Sequence, residues 1–383
     1  MSQGSPESNA KGAVSPDTPV VSRLCYLGGG LCALNNAGSK IVISPGLGGP
    51  VLAEFDNPAF GQLFATLTKL GALVVGCEFY LDAEEVRGLR PAEFRVFMMG
   101  QGWLVHDTWD KWSQVASASM RADKMEVADG AARIAFEMQA VNHRLLELCR
   151  AYSNQLRSLV ELRELEDYKR FEDLNTGPVI HCVHALFYEL AVLRDYLAEF
   201  MARFVFCVQG KKGRPIRTMA SLRSRLVAEP VEDPLCSEII RSTTREAAEP
   251  GWLAILSAYR NLFTHVAPME LVALRSFTVQ TYILIKGGGR LPVLYHPLPA
   301  NALELIRTRP NGFPFSRFAD WATASAGHRP NRDEQPDALE YLHVATNRMA
   351  ELAAKLIERS PVAPERLHLG PDDIIGPISV EPI

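Results

Sequence analysis

Residues 131–160, AARIAFEMQAVNHRLLELCRAYSNQLRSLV, decide the fold. Within them Ile134, Met138, Val141, Leu145, Leu148, Tyr152, Leu156 and Leu159 follow one another at spacings of three and four. An α-helix turns once in about 3.6 residues, so those side chains share one stripe, while Arg144, Glu147, Arg150 and Arg157 fall off it. The spacing predicts a long amphipathic helix whose stripe must be covered by other helices.

Candidates to cover it follow downstream. Asn175-Thr176-Gly177-Pro178 breaks the chain, and a second long helix then runs to about Phe206 on Leu186, Leu190, Leu193, Leu197, Phe200 and Phe204. Gln209 to Arg214 reads as a loop, followed by shorter helices near 216–228 and 235–247. Glu249-Pro250-Gly251 is another stop. Trp252 to about Val266 then carries Leu253, Leu256, Tyr259 and Phe263 on one side, with Pro268 disfavouring helical geometry before it. Around Lys286-Gly287-Gly288-Gly289 the runs SFTVQTYILI and RLPVLY predict a β-hairpin over about 276–295. A terminal helix from about Asp337 to Arg359 closes the pattern.

Upstream the signals are weaker. Short strands at 40–44 and 72–80 and a helix near 58–70 are expected, while Pro91-Ala92-Glu93 reads as the opening of a helix toward Leu104. A Ser-, Ala- and Asp-rich stretch after it reads as a linker. The expected fold is mainly α: an antiparallel helical bundle over residues 126–360 with an inserted hairpin. A small, irregular α+β N-terminal region at 21–125 precedes it, and residues 1–20 and 361–383 are tails. Residues 1–20, rich in Ser, Pro and Gly, have the composition of a disordered segment and not of a signal peptide.

Composition narrows the function classes. The 383 residues are 22% charged, with a net charge of −4, so no global basic field draws the chain to nucleic acid; any such contact must be local. Lys211, Lys212, Arg214, Arg217 and Arg223 form the one basic run, which as a charge run reads as a solvated connector. Seven scattered cysteines without a C-x-x-C pair fit a reducing cytoplasmic setting. Charges interrupt the long apolar stretches, and no membrane association is expected. Gly28 to Gly30 and Gly46 to Gly49 match neither a P-loop nor a dinucleotide fingerprint and read as turns.

One segment carries reactive chemistry. AILSAYRNLFTHVAP, residues 254–268, sets Arg260, Asn261 and His265 at a helix end. Arginine's planar fork suits a phosphate, and histidine exchanges protons near neutrality. Asn261 and His265 stand at i and i+4 on one face, and Arg260 reaches round if the last turn loosens. A phosphate-holding group beside a proton carrier suffices for metal-free RNA cleavage, in which the 2′-hydroxyl attacks the adjacent phosphorus. Spacing alone proves little, since Arg290 and His296 repeat an Arg-to-His interval inside the hairpin.

Arg260-Asn261-Leu262-Phe263-Thr264-His265 resembles the R-N-x-x-x-H signature of HEPN (higher eukaryotes and prokaryotes nucleotide-binding) domains, which are all-α bundles. The resemblance rests on that motif and the helix layout over about 130–360. It implies a homodimer presenting two motifs across a cleft, acting as a metal-independent endoribonuclease of toxin–antitoxin or other defence systems, without cofactor. Arg260 and His265 would be its catalytic pair and Asn261 the residue orienting them. Phe263 and Thr264 are bulkier than is common there, and the hairpin separates the motif from the terminal helix. Many HEPN domains are non-catalytic modules for RNA or nucleotide binding or for assembly, the alternative reading for this chain.

Glu189 and Asp195 are auxiliary candidates, carboxylates on the second long helix able to face His265. His181 and His184 have a spacing that can share a metal but lack further ligands in sequence, so no metal site is expected. Trp103, Trp109 and Trp112 read as packing residues, with base stacking as the alternative. The N-terminal glycines would form a nucleotide site only on a compact αβ sheet.

Overall fold

The computed structural model describes residues 22–36, 40–57, 60–80, 85, 91–162, 166–246, 249–266, 278–287, 289–300, 302–308 and 331–366. The two tails, Pro268 and the first two hairpin positions (276 and 277) lie largely or wholly outside them.

The expectation of a mainly α chain is overturned: 56% helix is accompanied by 19% strand, and the fold is α+β. What read as an irregular N-terminal region is a six-stranded antiparallel sheet. Its strands are β1 (Ser22–Leu27), β2 (Cys32–Asn36), β3 (Lys40–Ser44), β4 (Ala53–Asp56), β5 (Val74–Tyr80) and β6 (Glu93–Val96), in the order β4-β3-β2-β1-β5-β6. Helix α1 (Leu63–Leu70) covers one face, where Arg23 lies 5.6 Å over the ring of Phe64. On the opposite face Tyr26 meets Arg150 of the long helix. Helices on both faces bury every residue of β1, so the alternation that marks a half-exposed strand is absent from the sequence. The segment opening at Pro91 is a strand, β6, and not a helix.

The presumed linker is helical as well. Helix α2 (Leu104–Arg121) buries Val105, Thr108, Trp112, Val115, Ala116 and Ser119, and its small residues allow close packing where their composition resembles a linker. A turn at Ala122–Lys124 leads into α3 (Met125–Leu162), 38 residues and about 57 Å long. The eight stripe residues of α3 are each at most 1% exposed. Helix α4 (Thr176–Phe200) runs antiparallel to α3, as Arg133 pairs with Glu199, Arg144 with Glu189 and Gln155 with Thr176.

Shorter helices α5 (Met219–Ala228), α6 (Pro234–Ser242) and α7 (Trp252–Asn261) follow, then α8 (Ala302–Thr308) and α9 (Ala338–Ile357). Helix α9 lies against α2, α3 and α4, with Trp112 Nε1 donating to the Ala353 carbonyl at 3.2 Å. Thr218, Asp233 and Asp337 cap α5, α6 and α9 by accepting from backbone N–H groups of the first turn. A second sheet joins β7 (Lys169–Phe171) to the hairpin β8 (Thr278–Ile285) and β9 (Gly289–Tyr295).

The stretch Thr176–Val205 is long and apolar enough to cross a membrane by composition. Here it is the central bundle helix, burying Val179, Ile180, Val183, Leu186, Leu190, Leu193 and Leu197.

Candidate functional site

Helix α7 begins where only glycine fits: a Cβ on Gly251 would stand 2.2 Å from the Ser242 carbonyl oxygen. Leu253, Leu256, Ala258 and Tyr259 then anchor it to the core. At its C-terminus the α-helix gives way to a π-helical turn, Leu262–Val266. In a regular α-helix, residues five apart are offset by about 140° around the axis. The wider π turn, bonded i to i+5, reduces that offset and turns His265 toward Arg260.

The result is a small polar cluster. Arg260 Nη1 donates to Asn261 Oδ1 at 3.0 Å and lies 3.2 Å from His265 Nε2. A guanidinium only donates, so a hydrogen bond between the two has Nε2 as its acceptor. His265 is exposed to solvent and Arg260 is half-buried. The Arg260 guanidinium carbon lies 6.0 Å from the Tyr188 ring centroid, and its buried Nε has no hydrogen-bond partner. Phe263 accounts for the bulk at its position: it is buried, stacked on His184 at 5.1 Å and packed on Phe187 at 5.4 Å, so it pins the π turn to the core.

Arg260 borders an open cleft of ≈610 Å³ with Arg133, Tyr188, Asp195, Tyr196 and Arg217 among its walls. Its carboxylates are engaged. Asp129 and Glu199 pair with Arg133 at 2.9 and 3.0 Å, and Asp195 accepts from Arg194 Nε at 3.0 Å and from the Met219 N–H at 3.1 Å. Among the described residues Arg217 and Arg260 make no ion pair with a carboxylate. Of the two auxiliary candidates, Asp195 therefore lines the motif's cleft as an anchor for α5. Glu189 faces α3, bonded by Arg144 at 3.3 Å beside Glu137. Tyr188 was not singled out by sequence; its only signal is an aromatic ring off the apolar stripe of α4.

Other motifs resolve differently. Arg290 binds Asp167 at 2.6 Å, while His296 is 1% exposed, bonded to Gln155 at 2.9 Å and pushed down to about 3 by burial, so that interval assembles no site. Burial also lowers His184, and no cluster of three His, Cys, Asp or Glu side chains able to hold a metal occurs among the described residues. Trp112 is fully buried, and Trp103 packs between Phe64, Phe79 and Phe97. A sheet does underlie the N-terminal glycines, yet a Cβ on Gly29 or Gly30 would meet Val293 at 2.5 Å or the Tyr152 carbonyl at 2.7 Å. They are close-packing positions. Gly46 borders a separate cleft of ≈560 Å³ beside Glu78 and Arg150.

These features define an α+β protein with an Arg–Asn–His cluster on a π-helical turn beside a cleft. No protein-family model, curated protein or solved structure matches the chain.

Proposed function

We propose that the chain is a metal-independent endoribonuclease of the HEPN kind, acting in the cytoplasm as a homodimer within a defence or toxin–antitoxin system. The observation that carries this reading is the 3.2 Å approach of Arg260 Nη1 to His265 Nε2 at a solvent-exposed helix end. Nε2 of neutral His265 takes the proton of a ribose 2′-hydroxyl as the 2′-oxygen bonds to phosphorus. Arg260 shifts its donors to the phosphoryl oxygens, where negative charge grows. The bond from phosphorus to the 5′-oxygen breaks, leaving a 2′,3′-cyclic phosphate and a 5′-hydroxyl. The proton for that hydroxyl comes from a second, protonated His265 on the partner copy. Asn261 holds the guanidinium in register through its Oδ1.

The test is degradation of labelled RNA by wild type, Arg260→Ala and His265→Ala in excess chelator, with circular dichroism confirming equal folding. Loss of proton transfer lowers the rate roughly 10²–10⁴-fold, with cyclic-phosphate ends on wild-type products. Equal cleavage by His265→Ala sinks the assignment. RNA binding without cleavage by any form leaves the non-catalytic module in its place.

A further inference from the structure

The basic run that reads in sequence as a solvated connector is an ordered loop. The Gly210 N–H donates to the Arg214 carbonyl at 2.8 Å, closing the segment, and Ile216 anchors it in the core at 3% exposure. Lys211, Lys212, Arg214 and Arg217 are all exposed, and none makes an ion pair among the described residues. Elsewhere nearby, cations are matched: Arg133 to Asp129 and Glu199, Arg194 to Asp195, Arg203 to Glu126. Among the described residues here, unpaired positive charge lies on this loop, on Arg260 and on Arg223 of α5, whose buried Nε has no hydrogen-bond partner.

Loop and motif are joined by shape. A second cleft, of ≈540 Å³, runs past Gln209, Gly213 and Arg217, and shares Glu199 and Arg217 with the cleft that Arg260 borders. Between the two ends stands Tyr188, 52% exposed on the wall of α4. Unneutralised cations follow a phosphate chain, and a recessed, accessible ring offers a platform to one unstacked base. Paired bases have no face to give it. In-line attack by a 2′-hydroxyl also needs a backbone freed from A-form geometry.

We infer that the two clefts form one track for single-stranded RNA, entering over Lys211, Lys212 and Arg214, passing Arg217, stacking a base on Tyr188 and ending at Arg260 and His265. This rests on the nuclease reading for the purpose of the track, but its binding half stands alone.

The experiment measures fluorescence anisotropy of a labelled 12-nucleotide oligouridine and of an RNA duplex. It uses the full chain carrying His265→Ala so that nothing is cut. Replacing Lys211, Lys212 and Arg214 together by Ala should weaken oligouridine binding at least tenfold at 0.1 M salt. It should also reduce the slope of log K against log salt by about 2, as three phosphate contacts at roughly 0.7 each require. Tyr188→Ala should weaken binding several-fold and leave that slope unchanged. The loop is exposed, so melting temperatures should match. Unchanged affinity and slope in the triple variant, or tighter binding of the duplex, overturns the track even if wild type cleaves RNA. Binding with these dependences, beside a wild type that never cleaves RNA, removes the nuclease reading and leaves the track.

Discussion

At the scale of residues, chemistry follows from which polar groups are allowed to meet. Arg260 and His265 meet because one turn is π-helical, whereas Arg290 on β9 and His296 just past its end point to Asp167 and to a buried network. A pair with a different consequence is buried Glu137 beside half-buried Glu189. Glu137 is 5% exposed, its Oε1 has no partner, and burial together with the neighbouring Glu189 pushes its carboxyl up to about 8 from 4.5. The folded chain therefore holds a proton that the unfolded chain releases between those two values, so this group makes stability fall as pH rises from about 4.5 to about 8. Glu137→Gln keeps a neutral side chain of the same shape and should flatten that decline. Melting temperatures from pH 5 to 8.5 check it; a slope as steep in the variant as in wild type would show that Glu137 is ionised throughout. The Arg-Asn-x-x-x-His string was legible as a string. The turn that assembles it was not, because Leu262 to Val266 carry no propensity distinguishing a π turn from a last α turn. Phe263, bulky where small residues are common, becomes intelligible only once its stack on His184 is seen.

At the scale of elements, helices were legible wherever one apolar stripe met a shared core, as in α3, α4 and α9. Strands were legible in part: β3, β5 and the hairpin β8–β9 stand where short β-branched and aromatic runs placed them, but β1, covered by helices on both faces, shows no alternation in SRLCYL, and three-residue β7 is too short for any pattern. Helix α2 was hidden by Ala116, Ala118 and Ser119, small because neighbouring helices pack closely there. Where elements join, a single carboxylate holds several ends. Asp337 accepts from Leu339 N–H at 2.9 Å, Glu340 N–H at 3.1 Å, His296 N–H at 2.8 Å and the Tyr152 hydroxyl at 3.1 Å, binding α9 to β9 and α3. Burial pushes this acid up to about 7 against those four donors. Asp337→Ala strands buried donors and removes a cap, and should cost about 2–3 kcal/mol in urea unfolding. Asp337→Asn keeps an acceptor and should cost less than half as much. Equal losses would mean that charge, and not the cap, is what the junction needs.

At the scale of the whole molecule, one apolar core runs without a break from the six-stranded sheet through α3 to α7 and α9, so the sheet and the motif helix share a single rigid support. That support presents one Arg260–His265 pair per chain, and one imidazole cannot both remove the 2′-proton and deliver another to the departing 5′-oxygen in the same displacement. Among the described residues no histidine lines the cleft that Arg260 borders. On the nuclease reading proposed above, a facing second copy would supply the other proton carrier, an expectation that can be read in solution. Mixed with increasing His265→Ala at constant wild-type concentration and allowed to exchange, the active chains should lose activity in proportion to their falling share of the mixture, because each mixed pair lacks one of its two proton carriers. Activity per wild-type chain that stays constant under tenfold excess of the variant would place the whole reaction within one protomer. The second proton carrier would then have to be sought beside His265 itself, where the structure offers Arg260 and Asn261, neither of which gives up a proton near neutral pH.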